Sequence, residues 1–294
     1  MKIIDGKKIS EVILEDLGRK VTEIKNSGDK IPHLAAVLVG NNPASETYVN
    51  AKVKACEKTG FQSTLKKTEG TIAESDLLGI VRELNDDQDI DGFIVQLPLP
   101  SHINEHRIIE AISPAKDVDG FHPVNQGKMV LNLPCLLPAT PYGIMMLFEN
   151  CGIDTSGKHC VVLGRSHIVG TPMSILMGRK TSPGNCTVTL CHSKTKNLED
   201  FCRSADILIA AMGIPEFVTG SMVKEGAVVI DVGINRLPDP SKKSGYRLAG
   251  DVKFDEVAPK CSRITPVPGG VGPMTIAALL TNTMKAAGYK DIKI

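Results

Sequence analysis

Cys160-Val161-Val162-Leu163-Gly164-Arg165-Ser166-His167-Ile168-Val169-Gly170-Thr171-Pro172 is the stretch on which the fold turns. An unbroken apolar run ending in glycine reads as a buried parallel strand, because a strand covered on both faces has no polar alternation. The glycine permits a tight turn, and the helix expected from about Val169 would aim its first N–H groups at a pyrophosphate. The pattern is not Gly-x-Gly-x-x-Gly. Ser166 stands in the second position, and the last glycine comes one residue late. By itself the stretch fits a turn without a ligand as well as a nucleotide site. Strands expected at Thr187–Cys191, Asp206–Ala211 and Ala227–Val232 give a Rossmann-like order of elements.

The end of the second of these strands bears on the cofactor. It reads Cys191-His192-Ser193-Lys194-Thr195, with no acid to accept from ribose hydroxyls. Arg165, Ser193 and Lys194 would instead suit a 2′-phosphate, which an acid there would repel. The reading favours NADP over NAD.

Towards the N-terminus, Ile9, Val12, Ile13, Leu17, Val21 and Ile24 recur at helical spacing, and Gly28 follows as a stop. Leu34 to Val39 is a buried strand ending at Gly40. Ser45 reads as an N-cap for a helix over Glu46–Lys58, closed by Gly60. A strand near Gln62–Lys67, a helix near Glu74–Leu84 and the strand Gly92–Gln96 continue an alternation that calls for a parallel sheet with helices on its faces. Pro134, Pro138 and Pro141 make a break, with Thr140-Pro141 as a helix start. The expected domains are 1–140, joined by the returning helix 273–294, and 141–272. No internal repeat or low-complexity segment is read.

Composition narrows the function. Of 294 residues, 42% are hydrophobic, enough to give two domains their cores. Lys plus Arg is 34 and Asp plus Glu 33, a net charge of +1, which speaks against a nucleic-acid or membrane-surface binder. Aromatics are 4%, too few for a stacking platform. The 8 cysteines are scattered, with no Cys-x-x-Cys pair, and read as reduced thiols. There is no signal-like N-terminus or apolar run of membrane-spanning length, so a soluble, cytoplasmic protein is expected.

The candidate chemistry lies in the first domain. Tyr48 and Lys52 share a helix face four residues apart. They are either a solvated lysine beside a partly buried tyrosine or part of a site. The helix begins at the carboxyl end of a strand, where α/β sheets bind ligands. Gln96 ends another strand, and Lys116-Asp117-Val118-Asp119-Gly120 puts carboxylates on a turn. His102-Ile103-Asn104-Glu105-His106 fits an inverted zinc-protease pattern, but no third ligand stands out and no metal is assigned. His122 and His167 read as packing or loop residues.

Several segments together carry a family likeness: Tyr48-Val49-Asn50-Ala51-Lys52, Val95-Gln96-Leu97-Pro98-Leu99-Pro100, Lys116-Asp117-Val118-Asp119-Gly120, Gly164-Arg165-Ser166, Val169-Gly170, His192-Ser193-Lys194-Thr195 and Pro266-Val267-Pro268-Gly269-Gly270-Val271-Gly272-Pro273-Met274-Thr275. The chain resembles the bifunctional methylenetetrahydrofolate dehydrogenase/methenyltetrahydrofolate cyclohydrolase family from about Asp5 to the last helix. The resemblance implies an α/β chain of two domains: an N-terminal three-layer parallel-sheet domain and a Rossmann-like NADP-binding domain, with the folate site in the cleft between them. It implies Lys52 as the central catalytic group, Tyr48 and Gln96 positioning it and the folate, and Asp119 bonded to the pterin ring. Val95, Leu97 and the loop Pro268, Gly269, Gly270, Val271, Gly272 would wall the folate pocket. Gly164, Arg165, Ser166, Ser193 and Ile234 would contact NADP. A homodimer is implied, through a hairpin or edge strand of the nucleotide domain.

The implied reaction is oxidation of methylenetetrahydrofolate to methenyltetrahydrofolate with NADP, then hydrolysis to formyltetrahydrofolate. Oxidation forms a cation and needs positioning more than a proton acceptor. Hydrolysis needs proton movement, which is work for Lys52. Two other readings fit part of the pattern: a shikimate-type NADP-dependent dehydrogenase using Lys52 with Asp117 or Asp119, and a non-catalytic nucleotide-sensing module. The intact set Lys52, Tyr48, Gln96 and Asp119 speaks against the latter.

Overall fold

The computed structural model describes residues 1–242 and 245–289. In chain order its elements begin with β1 (Lys2–Ile3), α1 (Gly6–Ser27), β2 (His33–Val39), α2 (Pro43–Thr59), β3 (Gln62–Thr68), α3 (Glu74–Asp86) and β4 (Gly92–Val95). Helices α4 (Glu105–Ala111), α5 (Pro123–Val130) and α6 (Ala139–Asn150) follow. The alternation resumes with β5 (His159–Leu163), α7 (Gly170–Gly178), β6 (Thr187–Cys191), α8 (Leu198–Ser204), β7 (Ile207–Ala210) and β8 (Val228–Asp231). A hairpin of β9 (Asn235–Pro238) and β10 (Tyr246–Ala249), then α9 (Phe254–Val257), β11 (Arg263–Ile264) and α10 (Val271–Ala286), complete the chain.

Two compact units result. The first is Glu11–Ala139 with the chain from Ile276 on; the second is Met1–Ser10 with Thr140–Thr275. The sequence reading puts the first ten residues in the N-terminal domain, and here the structure differs. β1 pairs in parallel with β11, Ile3 opposite Ile264. Lys7 N–H donates to the Gly269 carbonyl at 2.8 Å. A two-residue strand offers no alternation to read, and its partner lies far along the chain.

In the first unit the sheet order is β3-β2-β4, all parallel. All seven residues of β2 are buried, so both faces are covered. Ala35, Val37 and Val39 pack with Phe93 and Val95 against Leu77, Val81 and Leu84 of α3 and Ile108 of α4. Leu34, Ala36 and Leu38 point the other way by the two-residue alternation of a strand. Each fully buried valine or leucine contributes about 1.5–3 kcal/mol. In α1 the buried stripe is Ile13, Leu17, Val21 and Ile24, whereas Val12, expected on that face, is exposed.

In the second unit the sheet order is β1-β11-β8-β7-β5-β6, and every pairing is parallel. Its central strands repeat a plan found in the first unit. β6-β5-β7 has the order of β3-β2-β4: second, first, third. His33 opens β2; its Nε2 shares a hydrogen bond with Thr64 Oγ1 at 2.9 Å, and its N–H donates to Asp91 Oδ2 at 2.9 Å. His159 opens β5; its Nε2 meets Thr189 Oγ1 at 2.9 Å, and its N–H donates to Asp206 Oδ2 at 3.0 Å. Each aspartate directly precedes the third strand and bonds a lysine, Lys30 or Lys224. This repeat is one of architecture that the sequence reading does not detect.

Candidate active site

α2 presents the lysine. Its N-cap is Asn42, whose Oδ1 accepts from the N–H groups of Ala44 at 2.9 Å and Ser45 at 3.3 Å, and Pro43 takes the first helical position. Ser45, expected as the cap, lies buried in the first turn instead. Gly60 ends the helix in the left-handed region, φ 78°, where glycine carries no Cβ penalty. One turn apart on this helix stand Tyr48, 40% exposed, and Lys52, only 8% exposed.

Lys52 Nζ donates to Gln96 Oε1 at 3.2 Å. Gln96 follows β4 and is fixed twice, by its N–H to the Val37 carbonyl at 2.9 Å and by its Nε2 to the Leu97 carbonyl at 2.6 Å. Asp119 completes the polar group. Burial pushes its carboxyl above the ordinary range; Lys52 opposes that shift, and Asp117 adds to it. The turn that carries Asp119 is tied down on several sides. Asp117, almost wholly buried, accepts from Phe121 N–H, His122 N–H and Asn125 Nδ2. Asn282 of α10 donates to the carbonyls of Val118 and Leu137 at 2.9 and 2.8 Å. Val95, Leu97 and Asp119 line one small recess with Phe121. Tyr48, Lys52, Val95, Gln96, Leu97 and Asp119 thus all belong to the first unit, and Pro268, Gly269, Gly270, Val271 and Gly272 to the second.

The second unit holds a cavity of about 490 Å³ beyond the carboxyl ends of β5, β6 and β7. It brings together Gly164, Arg165, Ser166 and Ser193, four of the five residues expected at the cofactor. Ile234 is not in this lining. The irregular glycine pattern has a geometric cause. Gly164 has φ 109°, and a Cβ there would stand 2.2 Å from the Ala211 carbonyl oxygen. A Cβ on Gly170 would stand 2.0 Å from the Gly164 carbonyl oxygen. Both positions exclude any side chain. Ser166 Oγ, in place of the second glycine, accepts from the N–H groups of Val169 at 3.2 Å and Gly170 at 3.4 Å and so caps the entry to α7. A glycine cradle with Arg165 and Ser193 on its wall, and no carboxylate in the lining, fits a phosphorylated dinucleotide.

Met212, Ile214 and Phe217 also line the cavity, and the sequence reading misses them. Their one signal is Gly213 soon after a buried strand. His122 caps α5, its Nδ1 accepting from Val124 N–H. His102 precedes the N-cap of α4, Asn104, so the two histidines of the zinc-like pattern do not share a helix face. Among the described residues, no group of three or more His, Cys, Asp or Glu could hold a metal. No helix of the described residues is long and apolar enough to cross a membrane.

Residues 4–119 match the tetrahydrofolate dehydrogenase/cyclohydrolase catalytic domain, and residues 138–291 match the NAD(P)-binding domain of the same family. The chain is 68% identical over 290 residues to the bifunctional protein FolD of Cytophaga hutchinsonii, covering 99% of this chain and 100% of that one. The crystal structure of the bifunctional FolD enzyme of Campylobacter jejuni superposes with a TM-score of 0.91 at 47% identity, over 98% and 99% of the two chains. The Trypanosoma brucei methylenetetrahydrofolate dehydrogenase-cyclohydrolase, solved with NADP and an inhibitor, gives 0.92 at 36% identity, over 97% of each chain. Shikimate dehydrogenase of Thermus thermophilus reaches 0.55 at 14% identity, over 87% of this chain and 94% of that one, a likeness of fold alone.

Proposed function

The chain belongs to the tetrahydrofolate dehydrogenase/cyclohydrolase family, and from that premise we propose how its residues divide the work. It oxidises methylenetetrahydrofolate to methenyltetrahydrofolate with NADP and hydrolyses the product to formyltetrahydrofolate. The observation that carries the residue assignment is the buried Lys52 ammonium donating to Gln96 beside Asp119.

NADP, when bound, would supply the acceptor for the hydride that leaves the methylene carbon. Gly164, Arg165, Ser166 and Ser193 would hold the cofactor, Arg165 and Ser193 being suited to its 2′-phosphate; Ile234 is assigned to it by family resemblance. Asp119 takes the donors of the pterin edge and so orients the ring. Gln96 holds the Lys52 ammonium in one place, and Tyr48 helps to position the folate. Val95 and Leu97 give the ring an apolar wall. Pro268, Gly269, Gly270, Val271 and Gly272 join that wall by resemblance to the family.

Lys52 serves mainly the hydrolytic step. Water attacks the methenyl carbon, and the ring then opens by breaking a carbon–nitrogen bond, which requires a proton at the departing nitrogen. Lys52 moves that proton, a role for a positioned acid–base group. The protein acts in the cytoplasm as a homodimer.

The test is a spectrophotometric assay of the purified chain with methylenetetrahydrofolate, run with NADP and with NAD. Methenyl formation that is faster with NADP, then decay faster than in buffer, is expected. The same preparation should sediment at twice the chain mass. Formation without enzyme-dependent decay would remove the role given to Lys52.

A further inference from the structure

Two buried carboxylates, Asp231 and Asp251, interlock beneath the rim of the nucleotide cavity. Asp251 is wholly buried and Asp231 is 4% exposed. Asp251 Oδ2 accepts from the N–H groups of Met212 at 2.6 Å and Gly213 at 2.8 Å, and its Oδ1 accepts from Asn235 Nδ2 at 3.0 Å. Asp231 Oδ1 accepts from Gly233 N–H at 3.0 Å and Asp251 N–H at 2.8 Å, and its Oδ2 from Val252 N–H at 3.0 Å. Each carboxylate fills space that only glycine leaves. A Cβ on Gly233 would stand 2.2 Å from Asp251 Oδ1, and one on Gly250 would stand 1.7 Å from Asp231 Oδ2.

The main chain extends this grip. The Gly250 carbonyl accepts from Glu216 N–H and the Asp251 carbonyl from Val218 N–H, both at 2.9 Å. These bonds flank Phe217, which lines the cavity with Met212 and Ile214. Asp251 therefore ties the cavity rim to Asn235, which opens β9 directly after Ile234. A buried carboxylate is a poor source of net stability, because apolar packing would serve as well. It is well suited to fixing N–H groups of turns that no strand pairs. Burial pushes the Asp231 carboxyl up to about 7, which reduces the charge facing Asp251 below that pH.

We propose that Asp251, seated on Asp231, is a positioning residue for the cofactor: it holds the Met212–Ile214 rim and the Ile234–Asn235 segment at the separation that bound NADP requires. The proposal rests on the cofactor reading above. Hydrolysis of methenyltetrahydrofolate uses no cofactor, so the second activity of the same chain separates positioning from general damage.

The experiment combines NADPH fluorescence titration, the KM for NADP, cofactor-free hydrolysis and thermal stability. It compares the wild type with Asp251→Ala, Asp251→Asn and Asn235→Ala. Asp251→Ala is expected to weaken NADPH binding and raise the KM for NADP by at least about tenfold, with hydrolysis within about twofold of wild type. Asp251→Asn keeps an acceptor for Met212 and Gly213 and should recover most of the affinity. Asn235→Ala cuts only the link to the Ile234 segment, so it should weaken NADPH severalfold at unchanged thermal stability, and it decides the matter if the Asp251 variants fail to fold. Wild-type NADPH affinity in Asn235→Ala, or oxidation and hydrolysis falling together in folded Asp251 variants, overturns the proposal. A wild type that does not bind NADPH overturns the cofactor reading and this proposal with it.

Discussion

Arg165 leaves β5 one residue after Gly164 and lines the same cavity as Ser193, which follows β6. A guanidinium facing a phosphate dianion forms charge-assisted hydrogen bonds worth about 1.5–3 kcal/mol. Arg165→Ala is therefore expected to raise the Kd for NADP by about 10- to 100-fold and that for NAD by less than about threefold, read by fluorescence titration. Equal losses for both would remove the 2′-phosphate contact. At this scale some residues are legible in the sequence and others are not, for a physical reason. Gln96 stands at a strand end and Asp119 on a turn, while Tyr48 and Lys52 share a face of α2 one turn apart, and each of these placements can be read from local spacing. Asp251 and Asp231 also end or follow strands, but their meaning lies in each other, and they are 20 residues apart with a hairpin between them. Met212, Ile214 and Phe217 carry no polar mark, and only their shared cavity identifies them.

Elements were legible where burial is continuous. After their opening histidines β2 and β5 are unbroken apolar runs, and β7 is one throughout, because both sheet faces are covered; that pattern survives without any knowledge of partners. Their edges were less legible. Ser45 and Asn42 are both good caps by composition, and the choice falls to Asn42 because Pro43 needs no N–H partner at the first helical position. The cap sets where α2 begins. Asn42→Ala should cost about 1 kcal/mol of unfolding free energy, measured by urea titration, and raise the KM for folate. An unchanged midpoint would show that Pro43 and packing fix the helix start without the cap. The spacing between Gly164 and Gly170 looked irregular as a motif. It follows from two backbone approaches that admit no Cβ, with Ser166 capping the turn between them.

At the scale of the whole molecule, two units of like plan carry different residues at their strand ends. Each centres on three parallel strands in the order second, first, third, with a histidine–threonine–aspartate clasp at the amino ends. The carboxyl ends differ. One presents Lys52 and Gln96, the other a glycine cradle with Arg165 and Ser193. The clasp residues were invisible in the sequence because they are separated by whole strand–helix units, and a lone histidine at a strand start has no distinguishing neighbours. On the reading proposed above, hydrolysis would rest on Lys52 in one unit and oxidation on the nucleotide cavity of the other.

The most direct test of that division is Lys52→Met, assayed for both activities beside an NADPH titration. The account predicts that hydrolysis of methenyltetrahydrofolate falls by at least about 100-fold while NADPH binds as in the wild type. Hydrolysis at a near-normal rate would contradict it and take the proton-transfer role away from Lys52.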